Sequence, residues 1–133
     1  MPLHSNIRDF SDLGMRVEEF CIRKHNEFLL SLWRDLISEN PVDTGASRSN
    51  WHLTPGQVSR AKTNPRDGTQ YPPPAEPDVW QYTYRWKKWY FANYSEYIGA
   101  LNEGSSKQAP AGWIDAAIQR NIAKFSSSFT RTS

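Results

Sequence analysis

The sequence predicts an α+β domain in which a long N-terminal helix and C-terminal helices pack on a small antiparallel sheet. Three observations support this fold class: a helical repeat of apolar residues in the N-terminal third, two aromatic-rich segments typical of strands, and two later helical repeats. The length of 133 residues fits one domain. We therefore predict a single domain over residues 1–125, with a proline-rich loop at about 63–78, and a flexible C-terminal tail at 126–133.

The first helix is predicted by apolar residues that recur every three or four positions. These residues are Phe10, Leu13, Val17, Phe20, Phe28, Leu32 and Leu36. We expect the helix to run from about Ser5 to Glu39, because Pro41 disfavours a helical conformation at the residue before it. Gly14 lowers helix stability by about 1 kcal/mol relative to alanine and marks a candidate break near the first turns.

A turn, a strand and a long loop follow this helix. Residues 40–50 are rich in turn and capping residues, and Trp51 and Leu53 begin a short predicted strand. Five of the nine prolines fall between Thr63 and Asp78, which excludes a helix or a central strand there. We expect an exposed loop with polyproline character, and loops of this length in compact domains commonly bind a partner.

The segment after the loop alternates in the manner of a strand. The pattern favours a strand more at Lys88–Ala92 than at Trp80–Tyr84, which fits either a separate strand or a helical turn. Aromatic residues of the loop and of this segment have no place in the predicted core, so they are the candidates for a partner-facing surface. They are Tyr71, Trp80, Tyr82, Tyr84 and Trp86.

Two helices are expected in the last third of the chain. The first runs from about Tyr94 to Glu103, and Gly104 follows its C-terminus as a residue that adopts the left-handed conformation easily. Pro110 fits the first turn of the second helix, whose apolar residues recur as far as Phe125.

The composition excludes several classes of protein. Six Trp, six Tyr and six Phe give a high aromatic share of 14%, which suits both a core and a partner surface. No apolar run approaches the roughly 20 residues of a membrane span, and the first residues lack the pattern of a signal peptide. Cys21 is the only cysteine, which excludes a disulfide framework. These features favour a soluble protein that is assembled inside a cell and has no membrane partner.

The net charge is only +2, but the basic residues are unevenly placed. Residues 44–66 and 79–92 contain basic and no acidic side chains. The stretch Arg85–Tyr90 alternates bases with aromatics, as a surface that stacks single-stranded nucleic acid requires, although a half-buried strand with a solvated basic face explains it as well. The candidates for facing nucleic acid are Arg60, Lys62, Arg85, Lys87 and Lys88.

No catalytic centre is predicted. Asp43-Thr44-Gly45 matches the nucleophile motif of retroviral-type aspartic proteases, but it follows a helix end rather than an apolar strand, and a simple turn explains it better. The three histidines lie far apart without metal-ligand spacing, and there is no glycine-rich phosphate loop. We therefore predict no enzyme activity, no cofactor and no metal site.

Two segments are more specific than their composition. The first, residues 40–51, directly follows the long helix, and the second, residues 90–113, precedes the last one. Together they resemble a family of tailed-phage neck proteins known as putative tail component or tail-completion proteins. The first motif is matched by Asp43, Thr44, Gly45, Arg48 and Trp51. The second is matched by Asn93, Tyr97, Glu103, Gly104, Ser106, Gln108, Ala109, Pro110 and Gly112. Residues from about 55 to 80 have no counterpart in that pattern.

The resemblance implies a structural role and no reaction. Such proteins join the DNA-filled head of a long-tailed phage to its tail. They form a ring, a hexamer in the virion, between the tail terminator or tail tube and the head-closing protein. DNA would pass this ring without specific contacts, and the ring would be assembled in the cytoplasm of the bacterial host. A tail terminator ring protein and a small single-stranded nucleic-acid-binding protein are the alternatives.

The roles expected for the motif residues are structural. We expect Asp43 and Thr44 to brace the turn after the long helix, and Arg48 and Trp51 to pin that turn to the sheet. Tyr94 and Tyr97 are expected to pack the short helix. The link from Gln108 to Gly112 is expected to set the direction of the last helix, with a neighbouring subunit as its second candidate contact.

Overall fold

The computed structural model describes the backbone of residues 10–66, 68–82, 88–96 and 98–130, and the side chains of these residues except at 10–18, 82 and 127–130. The long helix, the later helices and the small antiparallel sheet confirm the predicted α+β fold class. Along the chain, the elements are helix α1 (Phe10–Glu39), helix α2 (Ala46–Ser49), strand β1 (Trp51–Pro55), a 3-10 helix (Val79–Tyr82), strand β2 (Trp89–Asn93), helix α3 (Ile98–Asn102) and helix α4 (Trp113–Thr130).

Helix α1 has 30 residues and is therefore about 45 Å long. It continues through Gly14 without a break, and the predicted start near Ser5 lies outside the described residues. Its C-terminal half carries the centre of the core, because Leu36 is 1% exposed and Trp33 is 4% exposed. The helix ends as predicted before Pro41.

The sheet has two antiparallel strands, and Trp51 of β1 lies opposite Asn93 of β2. One further hydrogen bond, from the Gly56 N–H to the Lys88 carbonyl at 2.7 Å, extends the ladder beyond the strand ends. Trp51 and Leu53 are buried on the side of β1 that faces the helices, as the aromatic and apolar residues of the segment predict.

Helix α4 runs antiparallel to α1 and is joined to it by polar and aromatic contacts. Arg120 forms ion pairs with Asp35 and Glu39 of α1. One helical turn further, the Phe125 ring packs on the Phe28 ring with centroids 5.2 Å apart. The helix continues to Thr130, so residues 126–130, expected to belong to a flexible tail, are helical instead. The contact at Phe125 explains why the helix continues, because it fixes the helical turn just before residue 126 against α1.

The ends of the short C-terminal elements differ from the predicted ones for local reasons. Helix α3 begins at Ile98 and not near Tyr94, because the Ser95 N–H donates to the Asn93 side-chain oxygen and holds the chain in a turn. Helix α4 begins at Trp113 and not at Pro110. Gly112 has a φ of +77°, which interrupts a right-handed helix before it can start.

The segment after the proline-rich loop is a helical turn at Val79–Tyr82, which decides between the two structures that the sequence left open. Val79 is fully buried against α1. The remainder of the Trp80–Tyr84 stretch lies outside the described residues.

Candidate functional site: the junction of the two motifs

The first motif forms a tight turn between α1 and α2 that is organised around Gly45. Gly45 has a φ of +86°, and a Cβ atom at this position would overlap the carbonyl oxygen of Tyr71. The Tyr71 N–H donates to the Thr44 carbonyl at 2.8 Å. Residue 45 therefore has to be glycine for two independent reasons, its backbone conformation and the close approach of the proline-rich loop.

The two polar residues before this glycine have different roles. The Thr44 hydroxyl accepts a hydrogen bond from the Ala46 N–H at 3.3 Å, as expected for a residue that braces the turn. Asp43 is exposed, and its carboxylate makes no hydrogen bond within the described part of the chain. Thr44 thus contacts the turn through its hydroxyl, whereas the bracing role expected for Asp43 has no hydrogen bond to support it among the described residues.

Arg48 and Trp51 both stabilise the turn, but not through the contacts expected. The Arg48 guanidinium donates to the Tyr71 carbonyl at 3.4 Å, so it holds the proline-rich loop rather than the sheet. Trp51 belongs to the sheet itself, and its indole N–H donates to the Asn40 side-chain oxygen at 2.8 Å. The indole thereby ties β1 to the end of α1.

Asn50 is an important residue that the sequence pattern does not indicate. Its side chain is 2% exposed; the oxygen accepts from the Thr63 N–H at 2.7 Å, and the amide nitrogen donates to the Thr63 carbonyl at 3.1 Å. The same nitrogen donates to the Ala46 carbonyl at 2.7 Å. Asn50 thus satisfies both backbone groups of Thr63, where the proline-rich loop begins. Its position directly before a strand with a buried tryptophan is the only signal in the sequence.

The second motif reaches the first through Gln108. Its side-chain oxygen accepts from the Val42 N–H and its amide nitrogen donates to the Val42 carbonyl, both at 2.8 Å. The side chain therefore pairs with the backbone of residue 42 as a neighbouring strand would. Asn93 makes a second connection, because its amide nitrogen donates to the Ser47 carbonyl at 2.8 Å. The link from Gln108 to Gly112 therefore contacts the turn after α1 of its own chain, through Gln108.

Two glycines of the second motif shape the connection between α3 and α4. Gly104, two residues after the end of α3, has the left-handed conformation that was predicted, with a φ of +95°, and a Cβ there would lie 3.1 Å from Ala111. The Gly112 N–H donates to the Asn102 carbonyl at 2.6 Å. Pro110 lies exposed in this connection, and Tyr97 lies outside the described residues.

The residues of both motifs surround a cleft of about 520 Å³. We call these contacting segments, residues 41–51, 93–95 and 104–112, the motif junction. Among the described residues, Asp43 is the only carboxylate that lines the cleft. No group of three potential metal-ligating side chains occurs among the described residues. The Asp43-Thr44-Gly45 turn lies between two helices, so it lacks the strand context of an aspartic protease.

The proline-rich loop is exposed, as predicted, but it is held to the body at several points. Besides Thr63 and Tyr71, Glu76 pairs with Arg34 of α1 at 2.7 Å. The hydrogen bond from Arg34 lowers the pKa of the Glu76 carboxyl, and the same bond raises the pKa of the Arg34 guanidinium. Buried Val79 ends the loop. We call this segment, from Thr63 to Val79, the strap, because it crosses one side of the domain and is fixed at several points.

The partner-facing candidates separate into three groups. Trp80 is 43% exposed and remains available. Tyr71 is half-buried, and its hydroxyl accepts from the Arg66 N–H and donates to the Asn64 carbonyl, so it helps to fold the loop. Only the backbone of Tyr82 is described, and Tyr84 and Trp86 lie outside the described residues.

The basic candidates are exposed where they are described. Arg60, Lys62 and Lys88 are exposed, and the Lys62 ammonium lies 4.0 Å from the Glu96 carboxylate. Arg85 and Lys87 lie outside the described residues.

Comparisons of the chain with known protein families, with curated proteins and with solved structures find no match. In the part of the chain that the structure describes, no helix is both long enough and apolar enough to cross a membrane. The geometry of the motif junction is therefore the main source of information on function.

Proposed function

We propose that this chain is a structural subunit of a tailed-bacteriophage virion, a tail-completion or neck protein that forms a ring, a hexamer in the virion, joining the tail to the head. The neighbours of the ring would be the tail terminator or tail tube on one side and the head-closing protein on the other. The chain is not an enzyme in this proposal, and it uses no cofactor.

The observation that supports the proposal best is the contact between the two motifs on which the resemblance rests. Gln108 and Val42 are 66 residues apart in sequence, and Asn93 and Ser47 are 46 apart. Gln108 and Asn93, which match the second motif, therefore both bind backbone groups of the segment that carries the first motif. Their polar atoms bind backbone groups, which is typical of residues retained to hold a fold.

A second observation concerns the chemistry that the junction offers. Thr44, Asn93 and Gln108 use their side-chain polar atoms in hydrogen bonds within the chain. The exposed carboxylate of Asp43 has no second carboxylate beside it in the cleft, as far as the described part of the chain lines it. This arrangement favours a scaffold over acid–base catalysis, which requires paired groups of shifted pKa.

The test is the assembly of virions without this chain. We expect electron micrographs to show DNA-filled heads and separate tails, and wild-type protein supplied in trans to restore joined particles. Gln108→Ala should restore fewer joined particles, whereas Lys107→Ala, a change at the exposed neighbouring residue, should restore them fully. Joined, infectious particles in the absence of the chain would contradict the proposal.

The same micrographs separate tail completion from tail termination. A terminator stops the growth of the tail, so its loss should give tails of uncontrolled length. A completion protein acts on finished tails, so its loss should leave the length unchanged. We expect tails of uniform length.

Exposed Arg60, Lys62 and Lys88 favour the second candidate function, the binding of single-stranded nucleic acid. The hydrogen bond between Gly56 and Lys88 places Lys88 at the start of the loop that carries the other two. Binding through phosphates would fall steeply with salt. Failure of the protein to retain a labelled oligonucleotide at low salt would remove this candidate.

A further inference from the structure

The strap shows a repeat of exposure at every third residue. Tyr71, Pro74 and Pro77 are half-buried, and the residues between and after them are exposed. The exposed residues are Pro72, Pro73, Ala75, Glu76 and Asp78. This period is that of the polyproline II helix, which has about three residues per turn and no internal hydrogen bonds. Consecutive prolines favour that helix, because each ring fixes φ at about −65° and disfavours an α-helical residue before it. Residues 71–78 therefore form a short polyproline II helix that rests on the body along one of its three ridges.

The two other ridges of this helix form an exposed surface, which we call the outer face of the strap. It consists of Pro72, Pro73, Ala75 and Glu76. In the part of the chain that the structure describes, no group donates a hydrogen bond to the carbonyl oxygens of residues 72–76. The outer face therefore presents proline rings beside a row of hydrogen-bond acceptors.

The outer face is held in place on both sides. Before it, the Tyr71 N–H donates to the Thr44 carbonyl at 2.8 Å. At its end, Glu76 pairs with Arg34 of α1, and Val79 is fully buried against the same helix. A segment that is already fixed in its bound conformation loses less conformational entropy on binding. The strap is thus preorganised for a partner in a way that a free proline-rich tail is not.

The shape and charge of the strap define the partner. Grooves that bind polyproline helices are lined by aromatic side chains, whose rings pack on prolines and whose N–H or O–H groups donate to carbonyls. The pair Pro72-Pro73 supplies the rings for such a groove. Glu76 is compensated by Arg34, whereas the exposed carboxylate of Asp78 accepts only the Trp80 N–H among the described residues. A complementary groove therefore has a basic side chain at the end that meets Asp78.

We propose that the outer face of the strap binds a groove of a partner protein that is lined by parallel tryptophan or tyrosine side chains and is basic at one end. A second copy of this chain fits less well. Trp80 and Tyr94 are the large aromatic side chains most exposed among the described residues, and they belong to different segments. Trp89 and Phe125, which line the groove beside β2, already interact within their own chain. The inference does not rest on the proposed phage function, since it uses only the strap.

The test uses the full chain and, as a probe, a WW domain, whose groove is formed by one tyrosine and one tryptophan ring. We expect calorimetric titration to show binding with a Kd below about 1 mM, and replacement of the probe's tryptophan by alanine to abolish it. A synthetic peptide of residues 70–79 should bind about tenfold more weakly than the full chain, because it has to be ordered first. Equal binding of peptide and protein would overturn the role of the anchored strap. An absence of binding at millimolar concentration would overturn the proposal as a whole.

Two variants of the chain separate the ridges of the helix. Pro73→Val changes the outer face and should weaken binding of the probe about tenfold. Pro74→Val makes the same change on the ridge that faces the body, and it should bind within about twofold of the wild type. Valine keeps apolar bulk and an extended backbone, and slow hydrogen exchange of the Tyr71 amide checks that the strap stays in place in both variants. Equal losses in the two variants would contradict the assignment of the outer face.

The charge and the alternative occupant have their own tests. A version of the probe with lysine at both ends of its groove should bind at least about threefold more tightly at low salt than a version with glutamate there. Asp78→Asn should remove this difference, and equal binding of the two versions to the wild type would overturn the basic end of the groove. Light scattering of the protein alone tests a second copy. Self-association that Pro73→Val abolishes would overturn the partner assignment in favour of that copy.

Discussion

The motif junction and the apolar groove of about 780 Å³ beside β2 meet at Asn93, yet the two regions are built in opposite ways. In the motif junction, side-chain amides bind backbone groups and loops approach closely at glycines. In the groove, apolar side chains such as Ile122, Ile114 and Ile118 remain partly exposed. The first region uses its polar groups in contacts within the chain, whereas the second leaves apolar area exposed. The motif residues of the sequence are therefore largely residues that connect distant segments of the chain.

The contrast between the two regions would be contradicted if the motif junction tolerated substitutions without a loss of stability. Gly45→Ala should give the largest loss of stability, about 3 kcal/mol, because it adds a strained φ to an overlap with the Tyr71 carbonyl. Urea unfolding measures the loss. Gly56→Ala is a matched control, since Gly56 has a similar φ of +83° but no atom within 4 Å of the added Cβ. That variant should lose only about 1 kcal/mol. Equal losses would show that the contact with Tyr71 is unimportant.

Asn50→Ala should have the next largest effect, about 2 kcal/mol, because it leaves the N–H and C=O of Thr63 without their partner. The midpoint of urea unfolding is again the measurement. Asn64→Ala changes the same residue type at an exposed position nearby, and it should alter stability by less than about 0.5 kcal/mol. If the two variants behave alike, the start of the loop is not held by Asn50.

The strap contributes a smaller, pH-dependent amount. The pKa of Glu76 is lowered in the folded protein by its hydrogen bond to Arg34, so the stabilisation is present above the ordinary glutamate pKa, about 4.3. It is lost as the pH falls through the lowered pKa. Both side chains are largely exposed, so we expect at most about 0.5 kcal/mol. The stability difference between wild type and Glu76→Gln, measured from pH 6 downward, should shrink with acidity. A constant difference would mean that the carboxylate plays no part.

The smallest effect is expected in the groove beside β2, which Ile122 lines. Ile122→Ala should cost about 0.5 kcal/mol, because Ile122 is 43% exposed before the change. Leu53→Ala, in the packed core and outside the groove lining, should cost about 2 kcal/mol, because Leu53 is 6% exposed. Thermal unfolding compares them. A large loss of stability in Ile122→Ala would indicate that the groove is part of the packed core. The boundary between the packed core and the exposed groove would then lie beyond Ile122.

Much of the fold could be predicted from the sequence, because helices and strands leave local periodic patterns. The repeat from Phe10 to Leu36 predicts α1, and the aromatic alternation at Lys88–Ala92 predicts β2. The exact ends were less predictable. The start of α3 depends on the Asn93 side chain and the start of α4 on the φ of Gly112, and neither leaves a periodic signal.

The site was predictable only in part, because its contacts join residues that are distant in sequence. The motif residues could be named, and the conformation of Gly45 follows from its type. The partners of Arg48 and Gln108 could not be derived, since they depend on where the proline-rich loop and the α3–α4 connection cross the turn. Asn50 was missed for the same reason: its partner, Thr63, is 13 residues away.

The way the loop is fastened has a practical consequence. Thr63 and Tyr71 are fixed by backbone hydrogen bonds to the body, and between them Gly68 lies at an exposed tip with nothing within 4 Å of a Cβ atom. Lengthening a loop whose ends are already held costs little free energy, because the entropy of closure grows only logarithmically with length. An epitope tag inserted beside Gly68 should therefore leave the domain intact. Antibody labelling of that tag would then locate each copy of the chain in a purified particle.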